Sequence, residues 1–330
     1  MAFPVLEALR ARSKEVAQRH VNNGEADCFE DLALLGFNLK NSDIDCPPAN
    51  LQSSDLDNDV HPLFYLKNFD GLDPDEYLTL LPALRLASKL LTAQRTFKFL
   101  NRMIFADRVR LRGSKKAYRI FKNPEITPEN QEGIEDFIAI MAKCVTFYFS
   151  DLKSRSHDGS RVLGLTQLRF GRNPDVTLDI EYLKFIMTNL YSYNDTDTAR
   201  VLRFQFDFAV TIVHEFIHVL EFTLGEGAKF YFDDREEEEC GEEWTAAVFG
   251  GRISNINELC GELGLAVDGG DEFYLIPMSY ISDIQRPGWW TMVEADLVSL
   301  EIPLVGPTAE IAVQVLTEEG WPMKSRLPPK

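Results

Sequence analysis

The sequence predicts a helix-rich α+β protein, and three observations carry that prediction. Apolar residues recur at helical spacing over several long stretches. Only short segments have the extended, β-branched character of strands. No internal repeat divides the chain into similar units. With 330 residues, 45% of them hydrophobic and 26% charged, the composition is that of a folded chain rather than a disordered one. The length allows one large domain or two interlocked ones. We divide it into a mainly helical region, 1–150, and a second region, 151–330, that holds the reactive residues, the two packed as one unit.

The elements follow in order. Residues 3–20 read as a short amphipathic helix. Residues 41–62, rich in Pro, Asp and Ser, read as a long surface loop. From Asp75 to about Arg110, Leu78, Leu81, Leu84, Leu86 and Leu90 keep helical spacing, as one helix or two. Thr127-Pro128 supplies an N-cap and first-turn proline for a helix through Phe149. Strands are expected at Val162–Phe170 and Val176–Ile180, then a helix from Glu181 to about Tyr191. A longer helix runs from about Asp197 to Leu224, capped by Asp195-Thr196 and stopped at Gly225. An acidic run at 233–243 opens a further helix, with Asp233 or Asp234 as its N-cap.

Charge and cysteine usage narrow the function. There are 34 Lys+Arg against 52 Asp+Glu, a net charge of −18. That balance disfavours nucleic acid, whose phosphates need a cationic face, and a polybasic membrane anchor. Five widely spaced cysteines, with no CxxC pair, suit free thiols in a reducing compartment. The N-terminus has no basic segment leading into an apolar one, and no stretch of about 18 apolar residues stands out. The expected location is cytoplasmic.

One motif carries chemistry. Within the long helix lies Val213-His214-Glu215-Phe216-Ile217-His218. Histidines at i and i+4 sit about 40° apart on one face, so both imidazoles can reach a single metal ion. Glu215 points about 100° from His214, beside the ion, where it can accept a proton from water. With 5 His in the chain, chance would produce this pattern about once in a hundred such sequences. Val210, Ile212, Val213, Phe216, Ile217, Val219 and Leu220 surround it, and buried imidazoles among such neighbours need a partner.

A third ligand is required. The remaining histidines, His20, His61 and His157, all lie upstream, and Glu221 and Leu224 stand where a HExxHxxGxxH pattern needs Gly and His. A carboxylate is therefore expected from the acidic run DDREEEECGEE. Taken as helical, Glu239 shares its face with Ala246 and Gly250, small residues that admit a neighbouring helix. Glu239 is the chosen ligand, ahead of Glu243, Glu242 and Asp233. Glu243, one turn on, is placed to accept a hydrogen bond from a ligand histidine. Glu221 is disfavoured as a ligand because it leaves the same helix as His218. Asp207 and Thr211, on the His214 face, either line the site or satisfy each other.

His214-Glu215-x-x-His218 followed by Glu239-x-x-x-Glu243 resembles the gluzincin branch of the zincin metallopeptidases, although Asp usually stands where this chain has Glu243. The stretch AVTIVHEFIHVLE…EECGEEWTAAVFGG, residues 209–251, more closely resembles a group of fungal HExxH proteins. The resemblance implies a zincin-like fold, with a small mixed sheet beside the HExxH helix and a second metal-ligand helix. It also implies an edge strand, Val162–Phe170, that binds extended substrate, and a downstream residue that stabilises an oxyanion. With no downstream histidine, that residue is sought among Tyr231, Tyr274 and Tyr280, and Tyr280 is favoured.

The expected activity is that of a Zn²⁺-dependent peptidase or amidohydrolase, with His214, His218 and Glu239 on the metal and Glu215 as general base. The same ligands suit a biosynthetic lyase, cyclase or Fe(II) oxygenase acting on a small molecule or modified peptide. They suit equally a non-catalytic protein with a structural metal. Peptide or small-molecule substrates are expected, and neither nucleic acid nor membrane.

Overall fold

The structure, a computed structural model, describes residues 51–111, 117–120, 124–152, 162–167, 174–190, 197–225, 229–232, 239–256, 262–267 and 272–304. The expected helix at 3–20, the first part of the 41–62 loop, the caps Asp195-Thr196, and Asp233, Asp234 and Glu238 lie outside the described residues. So do Cys28, Cys46 and Cys260; Cys144 and Cys240 are free thiols.

Asp73 starts α1 (Pro74–Thr92) with a reciprocal cap. Its carboxylate accepts from Asp75 N at 2.8 Å, while Glu76 accepts from Asp73 N at 3.0 Å. The predicted helical run from Asp75 to Arg110 is two helices and a strand. Ala93 is extended, and the chain restarts as α2 (Gln94–Phe105). The break is stabilised by Thr96, whose hydroxyl donates to the Leu90 carbonyl at 2.7 Å. Arg108–Arg110 then form β1, antiparallel to β2 (Ala117–Ile120).

Thr127 caps α3 (Pro128–Met141) through Asn130 N at 3.2 Å. This helix stops eight residues before the predicted end at Phe149. Thr146–Ser150, reading TFYFS, instead forms β3, where β-branched and aromatic side chains fit a pleated surface. β3 runs parallel to β5 (Asp175–Asp179), and β4 (Gly164–Gln167) pairs antiparallel with β5 at the sheet edge. The two predicted strands are thus present in the described residues; the first begins at Gly164 rather than Val162, and 168–170 lie outside the described residues. The helix after them is α4 (Glu181–Phe185), which opens into a π-turn at Ile186–Leu190.

The centre of the fold is α5 (Thr198–Gly225), begun by Asp197 accepting from Ala199 N at 3.0 Å. It is apolar on almost every side, the pattern of a helix enclosed by other elements. α1 packs along it, and β4, α6 (Cys240–Phe249) and β6 (Lys229–Phe232) close around it. By length and composition α5 is also the one described helix that could cross a membrane, but 67% of that stretch is buried inside the protein. Beyond α6, Gly250 takes the left-handed conformation (φ +87°) that ends a helix, and β7 (Arg252–Ile256), β8 (Glu262–Val267) and β9 (Glu272–Leu275) form an antiparallel meander. Two short helices follow, α7 (Met278–Asp283) and α8 (Pro287–Glu294).

The architecture is therefore α+β and helix-rich, with small sheets of mixed direction. Two of the sheets join the halves of the chain: β2 pairs in parallel with β6, and β3 with β5.

Candidate metal centre

The site is built on α5 and completed by α6 and β4. His214 and His218, one turn apart, present their rings at a centroid separation of 5.1 Å. Glu239 faces both. Its Oε1 lies 3.0 Å from His214 Nε2, and its Oε2 contacts His218 Nε2. One ligand atom from each of the three residues lies within 4.8 Å of the others, a spacing compact enough for one ion. The side chains of His214, His218 and Glu239 are 24%, 16% and 35% exposed, so the group is only partly enclosed.

Glu239 arrives differently from expectation. It is not on a helical face but is itself the N-cap of α6, with extended backbone (φ −89°, ψ 156°). Its Oε1 accepts from Glu242 N at 3.0 Å, so the positive end of the helix and a backbone amide fix the carboxylate toward the histidines. Helical phase therefore does not account for its placement, and the N-cap position does.

Two glycines set the approach distances. A Cβ on Gly241 would lie 2.5 Å from His214 Nε2, so only glycine lets α6 pack against that imidazole. A Cβ on Gly164 would lie 2.5 Å from Glu215 Cγ and Oε1. β4 thus runs directly against the carboxylate of Glu215. From the same strand, Thr166 Oγ1 lies 2.7 Å from Glu215 Oε2 and 2.9 Å from the Glu215 carbonyl oxygen. Glu215 and Thr166 are both buried.

Glu221, disfavoured as a ligand, takes an orienting role at His218. Its Oε2 lies 3.2 Å from His218 Nδ1, and its Oε1 accepts from Phe230 N on β6 at 2.9 Å. With Nδ1 so engaged, His218 directs Nε2 toward Glu239. A buried acid one turn beyond His218 on an apolar helix was the sequence signal for this role.

The charges are strongly coupled. Burial pushes the His218 imidazolium down, but the carboxylates of Glu221 and Glu239 outweigh it and hold the pKa up at about 10. His214 is raised in the same way, against its own burial, by Glu239 and then Glu215. Burial pushes the Glu239 carboxyl up, yet the two imidazoles hold it well below the usual carboxylate range. A negative group ringed by two potential cations is the arrangement a divalent ion would replace.

Tyr280, the expected oxyanion partner, stands elsewhere. It lies on α7, buried, with its hydroxyl donating to the Leu300 carbonyl at 2.7 Å and its ring against Phe206 and Trp289. Phe206 precedes His214 by eight residues, about 12 Å along the helix. Burial raises the phenol pKa further. Tyr280 is a packing residue because a phenol in an apolar setting must satisfy its hydroxyl, and Leu300 does so. Tyr231 lies half-buried on β6, and the side chain of Tyr274 lies outside the described residues. Trp290 is buried, its indole donating to the Ile284 carbonyl at 2.8 Å. Asp207 and Thr211 meet through a third residue: the Tyr182 hydroxyl lies 2.9 Å from Asp207 Oδ2 and 2.9 Å from Thr211 Oγ1.

Comparisons with protein-family profiles, curated proteins and solved structures find no match.

Proposed function

We propose that this chain is a zinc-dependent hydrolase of amide bonds, a peptidase or amidohydrolase of zincin type. One observation carries the reading: two histidines and a carboxylate, all partly exposed, converge, and a separately anchored glutamate adjoins the first histidine. The donor set fits zinc. It supplies two imidazole nitrogens and one carboxylate, and one of the imidazoles is oriented by a buried acid. His214, His218 and Glu239 would hold the ion, which when bound polarises a carbonyl and acidifies water.

The protein's own residues supply the rest. Glu215 Oε2 is held by Thr166, which leaves Oε1 to take up a proton from water and return it to the leaving amine. Glu221 keeps His218 in the tautomer and orientation that present Nε2. The α6 N-terminus keeps Glu239 aimed, and the two imidazoles keep it ionised. The same ligands suit an Fe(II) oxygenase, but a buried glutamate between the histidines favours water activation. The test is metal analysis of untagged protein, followed by peptide and amide turnover by wild type and Glu215→Gln. About one zinc per chain, with metal retained and turnover lost in the variant, is the expected result. Iron in place of zinc would overturn the hydrolase reading.

A further inference from the structure

Between Leu202 and Glu221, α5 is buried at every position except Thr211, His214 and His218. These fall at i, i+3 and i+7 and so share one face. The open floor that holds the metal ligands therefore continues one turn toward the helix N-terminus, about 4.5 Å along the axis, to Thr211.

The Thr211 hydroxyl is polarised by what lies behind it. Tyr182, fully buried on α4, donates its single proton to Asp207 Oδ2 at 2.9 Å. The contact between Tyr182 and Thr211, also 2.9 Å, must then carry the Thr211 proton to the Tyr182 oxygen. A buried carboxylate thus fixes the sense of the whole chain: Thr211 O–H to Tyr182, and Tyr182 O–H to Asp207. What remains on Thr211 Oγ1 is lone-pair density. Its one hydrogen bond among the described residues lies on the protein side.

We propose that Thr211 is a substrate-binding residue, a hydrogen-bond acceptor in the cleft floor for a backbone N–H beside the scissile amide. Tyr182 and Asp207 position it by preventing the hydroxyl from turning to donate. The inference rests on the hydrolase reading and deepens it by specifying an amide N–H, rather than an ester oxygen, in the subsite adjoining the metal. A Thr–Tyr–Asp group that merely satisfied its own polar atoms would have no preference between the two.

The test uses the zinc-loaded full chain and two probes. One is a dipeptide hydroxamate; the other is its depsipeptide counterpart, in which the amide nearest the hydroxamate is an ester. Wild type should bind the amide about 10-fold more tightly than the ester. In Thr211→Val that ratio should collapse toward one with zinc content unchanged, and Thr211→Ser should restore it. Tyr182→Phe should also lower the ratio, because the threonine hydroxyl is then free to donate. An unchanged ratio in folded, zinc-loaded Thr211→Val would overturn the subsite while leaving the hydrolase reading intact. If wild type binds neither hydroxamate, the hydrolase reading itself falls, and the subsite with it.

Discussion

The two walls that flank α5 at the site use the same device for different ends. On one side β4 lays Gly164 against Glu215 and clamps that carboxylate with Thr166. On the other side the start of α6 lays Gly241 against His214 and caps itself with Glu239. Each wall combines one glycine, for close approach, with one polar group that fixes a reactive side chain. Under the proposed function, the strand wall would govern the base and the helix wall the metal. Metal binding and proton transfer should therefore be separable by mutation, although Glu215 directly follows His214.

The largest effect is expected on the helix wall. Glu239→Ala removes the proposed metal ligand and the α6 cap together. Zinc content should drop to background, and stability should fall by about 1 kcal/mol beyond the loss of metal, the usual worth of a cap. Gly241→Ala should also lose zinc, because the added methyl displaces the His214 ring. Full zinc occupancy in either variant, read by elemental analysis, would move the site elsewhere.

The strand wall should give the converse. Gly164→Ala should retain zinc yet lower turnover by about 100-fold or more, since it displaces the general base. Thr166→Val, which removes only the hydroxyl, should cost on the order of 10-fold in kcat. Loss of zinc in Thr166→Val would erase the proposed division between the walls.

A smaller effect tests the support behind the histidines. Glu221→Gln should weaken zinc affinity about 10- to 100-fold, measured by chelator competition, because His218 Nδ1 loses its charged partner. Unchanged affinity would leave Glu221 only its bond to Phe230 N.

The smallest expected effect is on pH dependence. In metal-free protein the His218 pKa is about 10, against 6.5 for an ordinary histidine. A raised pKa contributes stability that is complete below pH 6.5 and is lost as pH rises toward 10. The melting temperature of metal-free protein should decline across that window. Zinc-loaded protein should not share that decline, because the ring nitrogen is then held by the ion. Parallel curves for the two forms would separate His218 from the metal.

The motif His214-Glu215-x-x-His218 was legible because helical spacing alone puts two imidazoles on one face. The acidic run pointed to a carboxylate beside the histidines, and Glu239 does lie there, but as the N-cap of α6 rather than on a helical face. β3 was hidden because Thr146–Ser150 continues a helical pattern until it finds β5, 25 residues on in sequence, as a partner. Gly164 and Thr166 could not be connected with Glu215, since nothing local in a strand reports which helix it will touch. Nothing near Tyr280 in sequence shows that it is engaged, because its neighbours Phe206 and Leu300 are distant in the chain.

The sequence by itself determined that two histidines and a glutamate share one central apolar helix, because that follows from residue chemistry and a 3.6-residue period. Only the tertiary structure decided which oxygen each carboxylate offers, which glycines set the walls, and which tyrosine lies behind the exposed face of the helix. Those outcomes depend on close approaches between elements far apart in the chain, and local propensity carries no information about them.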